Sequence, residues 1–363
     1  MIKQLRQISI KIVAGANVAT IVIMFLLGFA DYVNPETYPL LSTFGMAFPF
    51  FLVFNLIFLV FWAVFKLRMV IIPILGYLAC YVPISIYMPV NMKKDLPEED
   101  CIKVLTWNVQ AYSGKPRYDD SFGMAYEYIK QQDADIVCLQ EDVDTWRRVR
   151  TYYDSIYAYC DTCLVKSVTS ANGIGIYTRY PIIKRERIDY PSVANLSMAY
   201  YLKMKSDTIL VIVNHFETTH LTLDERERYV KLVKGNLGRD TAREESKRLI
   251  HRLAESNKMR APQARAVHDY IESHRQYPMI VCGDFNDNPI SYCRRIVAKG
   301  LTDCFVASGR GVGVSYNQKG FFVRIDNILC SKQFEPYNCF VDDKIDASDH
   351  YPMVCWLKFD KKH

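Results

Sequence analysis

The sequence predicts an α/β or α+β sandwich set behind three apolar helices, and three observations carry that prediction. Residues 1–92 are mostly apolar, whereas the rest has the mixed composition of a soluble domain. Beyond residue 100, short β-type runs mix with helical stretches in a pattern that a simple βαβ array does not explain. At the ends of those runs stand polar residues of a few types only: Asn, Glu, His and Asp.

The apolar stretches come first. Residues 12–30, 40–65 and 69–90 contain no acid or base, and each is close to the ~20 residues that cross a bilayer as a helix. A cleaved signal peptide would account for one of them, not three, and nothing amphipathic accompanies them to make them core helices of a soluble domain. Pro49, Pro73 and Pro83 are tolerable in membrane helices whose neighbours satisfy the freed carbonyls. Lys3, Arg6 and Lys11 precede the first stretch, residues 31–39 carry no base, and Lys66 and Arg68 sit in the second connection. Bases favour the cytoplasmic side, which puts the N-terminus and the second connection there. Three crossings then carry everything after residue 90 outward. The expectation is an inner- or plasma-membrane protein whose larger domain is extracytoplasmic, held to the bilayer by three N-terminal helices. Lys93 and Lys94 argue the other way, diluted by Asp95, Glu98, Glu99 and Asp100. The chain thus divides into residues 1–92 in the membrane, a short charged linker at 93–100, and a domain over 101–363.

Within that domain the elements follow in order. Residues 102–107 are apolar and predict a strand ending at Asn108. Residues 122–132 have helical spacing. A short buried strand at 136–139 ends at Gln140-Glu141. Residues 173–178 and 209–213 predict further strands, the second ending at Asn214-His215. Residues 223–255 are charged and helical, and Pro262 suits the first turn of a separate helix running to His274. A strand at 279–282 leads into Gly283-Asp284-Phe285-Asn286-Asp287. A helix at 291–298 and strands near 324–330 and 352–357 complete the pattern.

The chain has 45 bases and 39 acids. Residues 224–265 hold 12 bases and seven acids, and the rest of the domain balances at 26 of each. The basic excess is therefore local. It suits an anionic substrate or lipid headgroups, and equally a solvated helix with i,i+4 ion pairs. Of 11 cysteines, Cys138, Cys282, Cys330 and Cys355 lie in apolar runs and behave as small buried hydrophobes. Cys160 and Cys163 form a lone C-x-x-C, which without a second pair predicts a local disulfide or two free thiols rather than zinc.

The polar run ends carry the chemistry. Singly, Asn108, Glu141, His215, Asp284 with Asn286, Asp326 with Asn327, and Asp349 with His350 each have a local explanation as a turn, a cap or a surface group. Together they supply the groups for metal-assisted hydrolysis of a phosphate ester. Hard carboxylate oxygens suit Mg²⁺, with Mn²⁺ as an alternative, and the ion neutralises charge on phosphate and leaving oxygen. Histidine transfers protons near neutrality, and amides donate to phosphate oxygens. No P-loop, Gly-x-Ser-x-Gly or His-Glu-x-x-His occurs, so NTPase, serine-hydrolase and zincin chemistry have no support.

Trp107-Asn108-Val109, Leu139-Gln140-Glu141, Asn214-His215-Phe216-Glu217, Gly283-Asp284-Phe285-Asn286, Arg324-Ile325-Asp326-Asn327 and Ser348-Asp349-His350 occur in one order. In that order the domain resembles the endonuclease/exonuclease/phosphatase superfamily over roughly residues 101–359, as a membrane-anchored bacterial-type member. The resemblance implies a four-layer sandwich, two β-sheets packed face to face with helices outside. It implies Glu141 as the principal metal ligand, with Asn108 and Asp349 beside it. It makes Asp284 the group that orients or activates water, and Asn286 a phosphate contact. His350, held by Asp326, takes the place beside the scissile phosphate, and His215 the place near the leaving oxygen. Where the exonuclease-III-type branch has an Asp two residues after the first Asn, this chain has Gln110, so no second carboxylate is carried over there. Tyr177 and Arg179 receive no chemistry, and His220, His251, His268 and His274 are expected at the surface. The expected enzyme is a phosphodiesterase or phosphomonoesterase. Nucleic acid and lipid of the sphingomyelin type are its alternative substrates, and a catalytically silent phosphate-binding module is the competing class.

Overall fold

The computed structural model describes residues 2–97, 101–113, 121–143, 152–166, 171–219, 222–318 and 321–360. Its strands, in chain order, are β1 (Cys101–Asn108), β2 (Ile136–Gln140), β3 (Tyr159–Lys166), β4 (Ala171–Thr178), β5 (Ile182–Ile188), β6 (Leu196–Met204) and β7 (Asp207–His215). There follow β8 (Met279–Asp284), β9 (Thr302–Asp303), β10 (Tyr316–Gln318), β11 (Phe321–Val323), β12 (Asp326–Cys330), β13 (Phe334–Val341) and β14 (Met353–Phe359). One six-stranded sheet has the order β13-β14-β1-β2-β4-β3, the other β5-β6-β7-β8-β12-β9, and β10-β11 is a separate hairpin.

Strand alternation builds the layers. Val104, Ile136, Cys138, Ile174, Ile176, Met353 and Cys355 from the first sheet meet Met198, Tyr200, Val211, Val213, Ile280, Cys282 and Ile328 from the second in one buried cluster. The other parity faces outward. Leu105, Trp107, Val137 and Leu139 pack with Ala125 and Ile129 of the helix Ser121–Gln132. Tyr201, Leu210, Ile212 and Val281 pack with Ala264, Val267 and Ile271 of the helix Arg239–Ser273. Two mixed sheets lie face to face with helices outside, as expected.

Three local expectations change. Pro262 does not start a helix: it lies inside a 35-residue one, Arg239–Ser273. The proline removes the N–H that would reach the Lys258 carbonyl, but buried Ala261, Gln263 and Ala264 on either side hold the turn by packing. The break in the charged region falls earlier, between Leu223–Val233 and Arg239, at Gly235 with φ +68°. Cys160 and Cys163 lie three apart on β3 and pack into different clusters on opposite faces, so of the two expected alternatives a disulfide between them is ruled out.

At the N-terminus, Gln4–Tyr32 and Pro39–Phe65 are long and apolar enough to cross a membrane. The third stretch is broken. Leu67–Ala79 and Tyr81–Tyr87 meet at 66°, next to Pro83, which offers no N–H to the Ala79 carbonyl. Inside this bundle Asn17 donates to Asn55 (3.1 Å), Asn55 to the Pro73 carbonyl (3.0 Å), and Trp62 to Asn17 (3.1 Å). These bonds satisfy polar groups that lipid would leave unpaired. Arg324 joins the bundle to the domain. It is 1 % exposed, stacks on Phe305, and donates to the carbonyls of Val312 (2.8 Å) and Ile86 (2.5 Å).

Candidate functional site

The strand parity that fills the core also builds the site. Residues 104, 106 and 108 of β1, 211, 213 and 215 of β7, 280, 282 and 284 of β8, and 330, 328 and 326 of β12 point between the sheets. The last residue of each series is polar and stands at one rim. Across the second sheet His215 lies opposite Asp284, and Asp284 opposite Asp326. Glycine allows this register at Gly283. It has φ +121°, and a Cβ there would sit 2.0 Å from the Asn214 carbonyl oxygen.

Asn108, from the facing sheet, donates through Nδ2 to Oε1 of Glu141 and to Oδ2 of Asp284, both at 3.1 Å, and its Oδ1 accepts the Gln110 N–H. Glu141 has φ +54°, which turns it off β2 toward Asn108. Asp284 is buried. The Nε2 atoms of His215 and His350 each lie 3.7 Å from its Oδ2, and His215 Nε2 is 3.8 Å from Glu141 Oε1. Asn286, at φ +52°, donates its backbone N–H to Oδ1 of Asp284 (2.7 Å) and its amide to the Phe216 carbonyl (2.9 Å). Its nitrogen thus holds the catalytic turn, leaving Oδ1 as its remaining polar atom. Nδ1 of His350 lies 2.9 Å from Oδ2 of Asp326. Ser348 ties this segment to the Asn108 carbonyl (2.7 Å), and Trp107 donates to the His350 carbonyl (2.8 Å). The backbone N–H of Asp349 donates to Oε1 of Gln110 (3.3 Å).

Burial raises the Asp284 carboxyl to about 6, with the two histidines opposing and Asp326 adding. For His350, burial opposes charge, but Asp326 and Asp284 outweigh it and raise the imidazole to about 10. Asp349 is raised by burial, against the nearby imidazole of His350. All eight predicted residues therefore occupy one rim.

Neighbours that sequence reasoning missed support them. Oδ1 of Asn172 accepts the Gly173 N–H (2.8 Å), and the same amide lies against Nδ1 of His215, with Nδ2 at 3.0 Å and Oδ1 at 3.2 Å. That contact leaves Nε2 of His215 aimed at Glu141 and Asp284. Parity with Ile174 and Ile176 on β4 is the signal that marks Asn172. Asp142, the residue after Glu141, accepts from Tyr112 (2.9 Å) and Tyr177 (2.6 Å); Tyr177 is thus a support for the Glu141 turn. Arg260 and Gln263 of the long helix bind the Glu217 backbone (both 2.9 Å), and Arg260 lies 3.7 Å from Asp287. Arg179 pairs with Asp133 and Asp135 away from the site. His251 is exposed and His268 and His274 half-buried, all outside the site; His220 lies outside the described residues.

The donor set fits a divalent cation. Asp284, Asp326 and His350 bring ligand atoms within 4.8 Å of one another. Oδ1 of Asp326 and Nε2 of His215 are buried without a hydrogen-bond partner, and four carboxylates, Glu141, Asp284, Asp326 and Asp349, converge on this rim.

Comparisons agree with this geometry. The family model described as Endonuclease/Exonuclease/phosphatase family matches residues 105–350, and a model described only as a domain of unknown function matches residues 10–87. No match is found among the curated proteins. Among solved structures, an endonuclease/exonuclease/phosphatase from Beutenbergia cavernae is 16% identical with a TM-score of 0.54, over 72% of each chain. A family protein from Bacteroides thetaiotaomicron is 15% identical (TM-score 0.51), over 72% of this chain and 98% of its own. The human Nocturnin catalytic domain with bound sulfate is 17% identical (TM-score 0.50), over 74% and 96%. At these identities the likeness is one of fold.

Proposed function

The chain belongs to the endonuclease/exonuclease/phosphatase family over residues 105–350, and from that premise we propose that it is a membrane-anchored, divalent-metal-dependent phosphodiesterase. The observation that carries this reading is the placement of two histidine Nε2 atoms 3.7 Å from one buried carboxylate oxygen of Asp284. Asp284 orients the attacking water and accepts its proton. The charged imidazole of His350, held by Asp326, faces the negative charge that develops on phosphorus-bound oxygen. His215, whose Nε2 faces Asp284 and Glu141, serves the leaving oxygen. Asn108 bridges Glu141 and Asp284 and keeps both acids aimed inward, while Asn286 offers Oδ1 toward the substrate side. Glu141, Asn108 and Asp349 would hold Mg²⁺ or Mn²⁺, because Oδ2 of Asp326 and Nδ1 of His350 are engaged with each other and leave Asp326 only Oδ1 to offer. When bound, the ion supplies charge neutralisation for the phosphate and the leaving group.

The substrate we propose is a phosphodiester presented at the bilayer. Ile290, four residues beyond Asn286, packs among Met24, Leu27, Phe48 and Tyr87 at the end of the apolar bundle, so the catalytic loop and the anchor are continuous. The same contacts put the domain at the bundle end formed by residues 30–47, with Lys66 and Arg68 at the other. With bases cytoplasmic, that supports an extracytoplasmic domain. The test assays the full chain in lipid discs with Mg²⁺ on a lipid phosphodiester, DNA and RNA side by side. Lipid hydrolysis lost in Asp284→Ala is the expected result. Nuclease turnover with intact lipid would overturn the substrate, and no turnover of any diester would overturn the activity.

A further inference from the structure

Apart from Arg226, whose charge reaches Asp349 and Tyr316, and Arg260 on the Glu217 backbone, the basic segment takes no part in the site above, and its charges divide by helix face. The helices Leu223–Val233 and Arg239–Ser273 form a hairpin. On the inner side bases meet acids: Arg228 pairs with Asp224 and Glu245, Arg248 with Glu245, and Arg252 with Glu225. The opposite face of the long helix differs. Arg239, Arg243 and Lys247 recur every four residues on one side, and Lys258, three turns further, continues the row. All four are exposed, and among the described residues none has an ion pair. Ile250, 39% exposed, lies on the same face; Asp240 and Glu244 border one edge of it.

What that face looks at is set further along the helix. Arg265, two turns beyond Lys258, pairs with Glu36, and Lys258 adds to the pull on the same carboxylate. Asn257 donates to Ser42 (3.3 Å). Glu36 and Ser42 belong to the connection between the first two apolar helices, the level at which the bundle leaves the hydrocarbon. From Lys258 back to Arg239 the helix extends roughly 28 Å past that contact, carrying the unpaired row on the side turned to the bundle's end.

We propose that this row, Arg239, Arg243, Lys247 and Lys258, is a docking surface for anionic phospholipid headgroups of the leaflet beside the bundle. Charge complementarity selects the partner. The inference rests on the membrane anchoring in the reading above and is independent of the catalytic assignment. Each base near an anionic leaflet contributes roughly a fivefold preference, so three together give about a hundredfold. Residues 239–252 of the hairpin are largely exposed, so their amides report contact with lipid through local opening.

The experiment measures amide exchange of residues 239–252 in the full chain, in discs of phosphatidylcholine alone and in discs containing phosphatidylglycerol. Exchange should slow at least about tenfold in the anionic discs and recover at high salt. The triple variant Arg239→Gln, Arg243→Gln, Lys247→Gln, made with good helix formers, should exchange equally in both discs while hydrolysing a soluble diester at the native rate. Equal exchange of the native chain in the two discs overturns the proposal. Protection by a single-stranded oligonucleotide in phosphatidylcholine discs, with none from anionic lipid, would assign the surface to nucleic acid instead.

Discussion

Asp326→Asn isolates the charge of the dyad from its shape. Asn is isosteric with Asp, and its Oδ1 still accepts from Nδ1 of His350 at the 2.9 Å separation seen for the carboxylate. What disappears is the foremost of the three carboxylate charges, Asp326, Asp284 and Asp349, that outweigh burial and raise His350 to about 10. Without it the imidazole falls toward its ordinary value of about 6.5. At pH 8 the native histidine is almost wholly protonated, whereas at that limit only about one molecule in thirty carries the charge. Turnover of a bis-aryl phosphodiester should therefore fall by up to about thirtyfold at pH 8. It should recover to within a few-fold near pH 6, because lowering the pH restores the proton. The sign follows from the raised value: a histidine held above its ordinary pKa loses its charged form only as pH climbs through about 10, so the native alkaline limb lies there and the variant's near neutrality. The assay is the pH profile of kcat from pH 5.5 to 9.5 at saturating Mg²⁺, with melting temperature recorded alongside. An unchanged profile, or an equal loss at every pH, would refute the role given to the Asp326 charge.

Two further outcomes test the site from other sides. Chelation should abolish hydrolysis, with Mg²⁺ or Mn²⁺ restoring it, and Glu141→Gln should raise the Mg²⁺ needed for half-maximal activity at least about tenfold, read from a titration at fixed substrate. Gly283→Ala should lower stability by about 3 kcal/mol or more, because the added Cβ meets the Asn214 carbonyl oxygen at 2.0 Å in a left-handed conformation; its melting temperature checks this.

The core strands were legible from their alternation, and Asn108, His215 and Asp284 stood out as candidates because each ends a short apolar run whose alternation already specifies a face. His215 follows Ile209, Val211 and Val213 by parity, and Asp284 follows Ile280 and Cys282. The edge strands were not legible. β5 reads Ile182-Ile183-Lys184-Arg185-Glu186-Arg187-Ile188, and its middle faces solvent, so pairing to β6 rather than hydrophobicity makes it a strand. Arg260 and Gln263 were hidden because they act on residues 43 and 46 positions earlier, on a helix whose interior Pro262 looks like a beginning. Family resemblance supplied the four-layer arrangement, which the run lengths alone do not specify. The third apolar stretch looked like one span because composition does not report a 66° bend.

Those hidden contacts explain how the apolar bundle and the candidate site come to share one frame. The helix Arg239–Ser273 holds the Glu217 backbone through Arg260 and Gln263, and meets Glu36 and Ser42 of the bundle through Arg265 and Asn257. The chain that leaves Asp284 inserts Ile290 into the bundle end, and Arg295 reaches back to the Asp31 carbonyl (3.0 Å) while its guanidinium stacks on Tyr32. On the remaining side, Asn91 donates to the carbonyls of Val306 and Gly309 (3.0 and 2.7 Å), so the start of the connecting segment is pinned to the domain. A tethered enzyme would show few contacts on either side of a mobile linker. Here three separate segments grip the bundle, one of them, at Ile290, four residues beyond the candidate site residue Asn286. A fixed height follows from that grip. On the membrane-anchored reading proposed above, it would confine the site to diesters that reach the bilayer surface and would hold the basic row of the long helix over the leaflet those diesters come from.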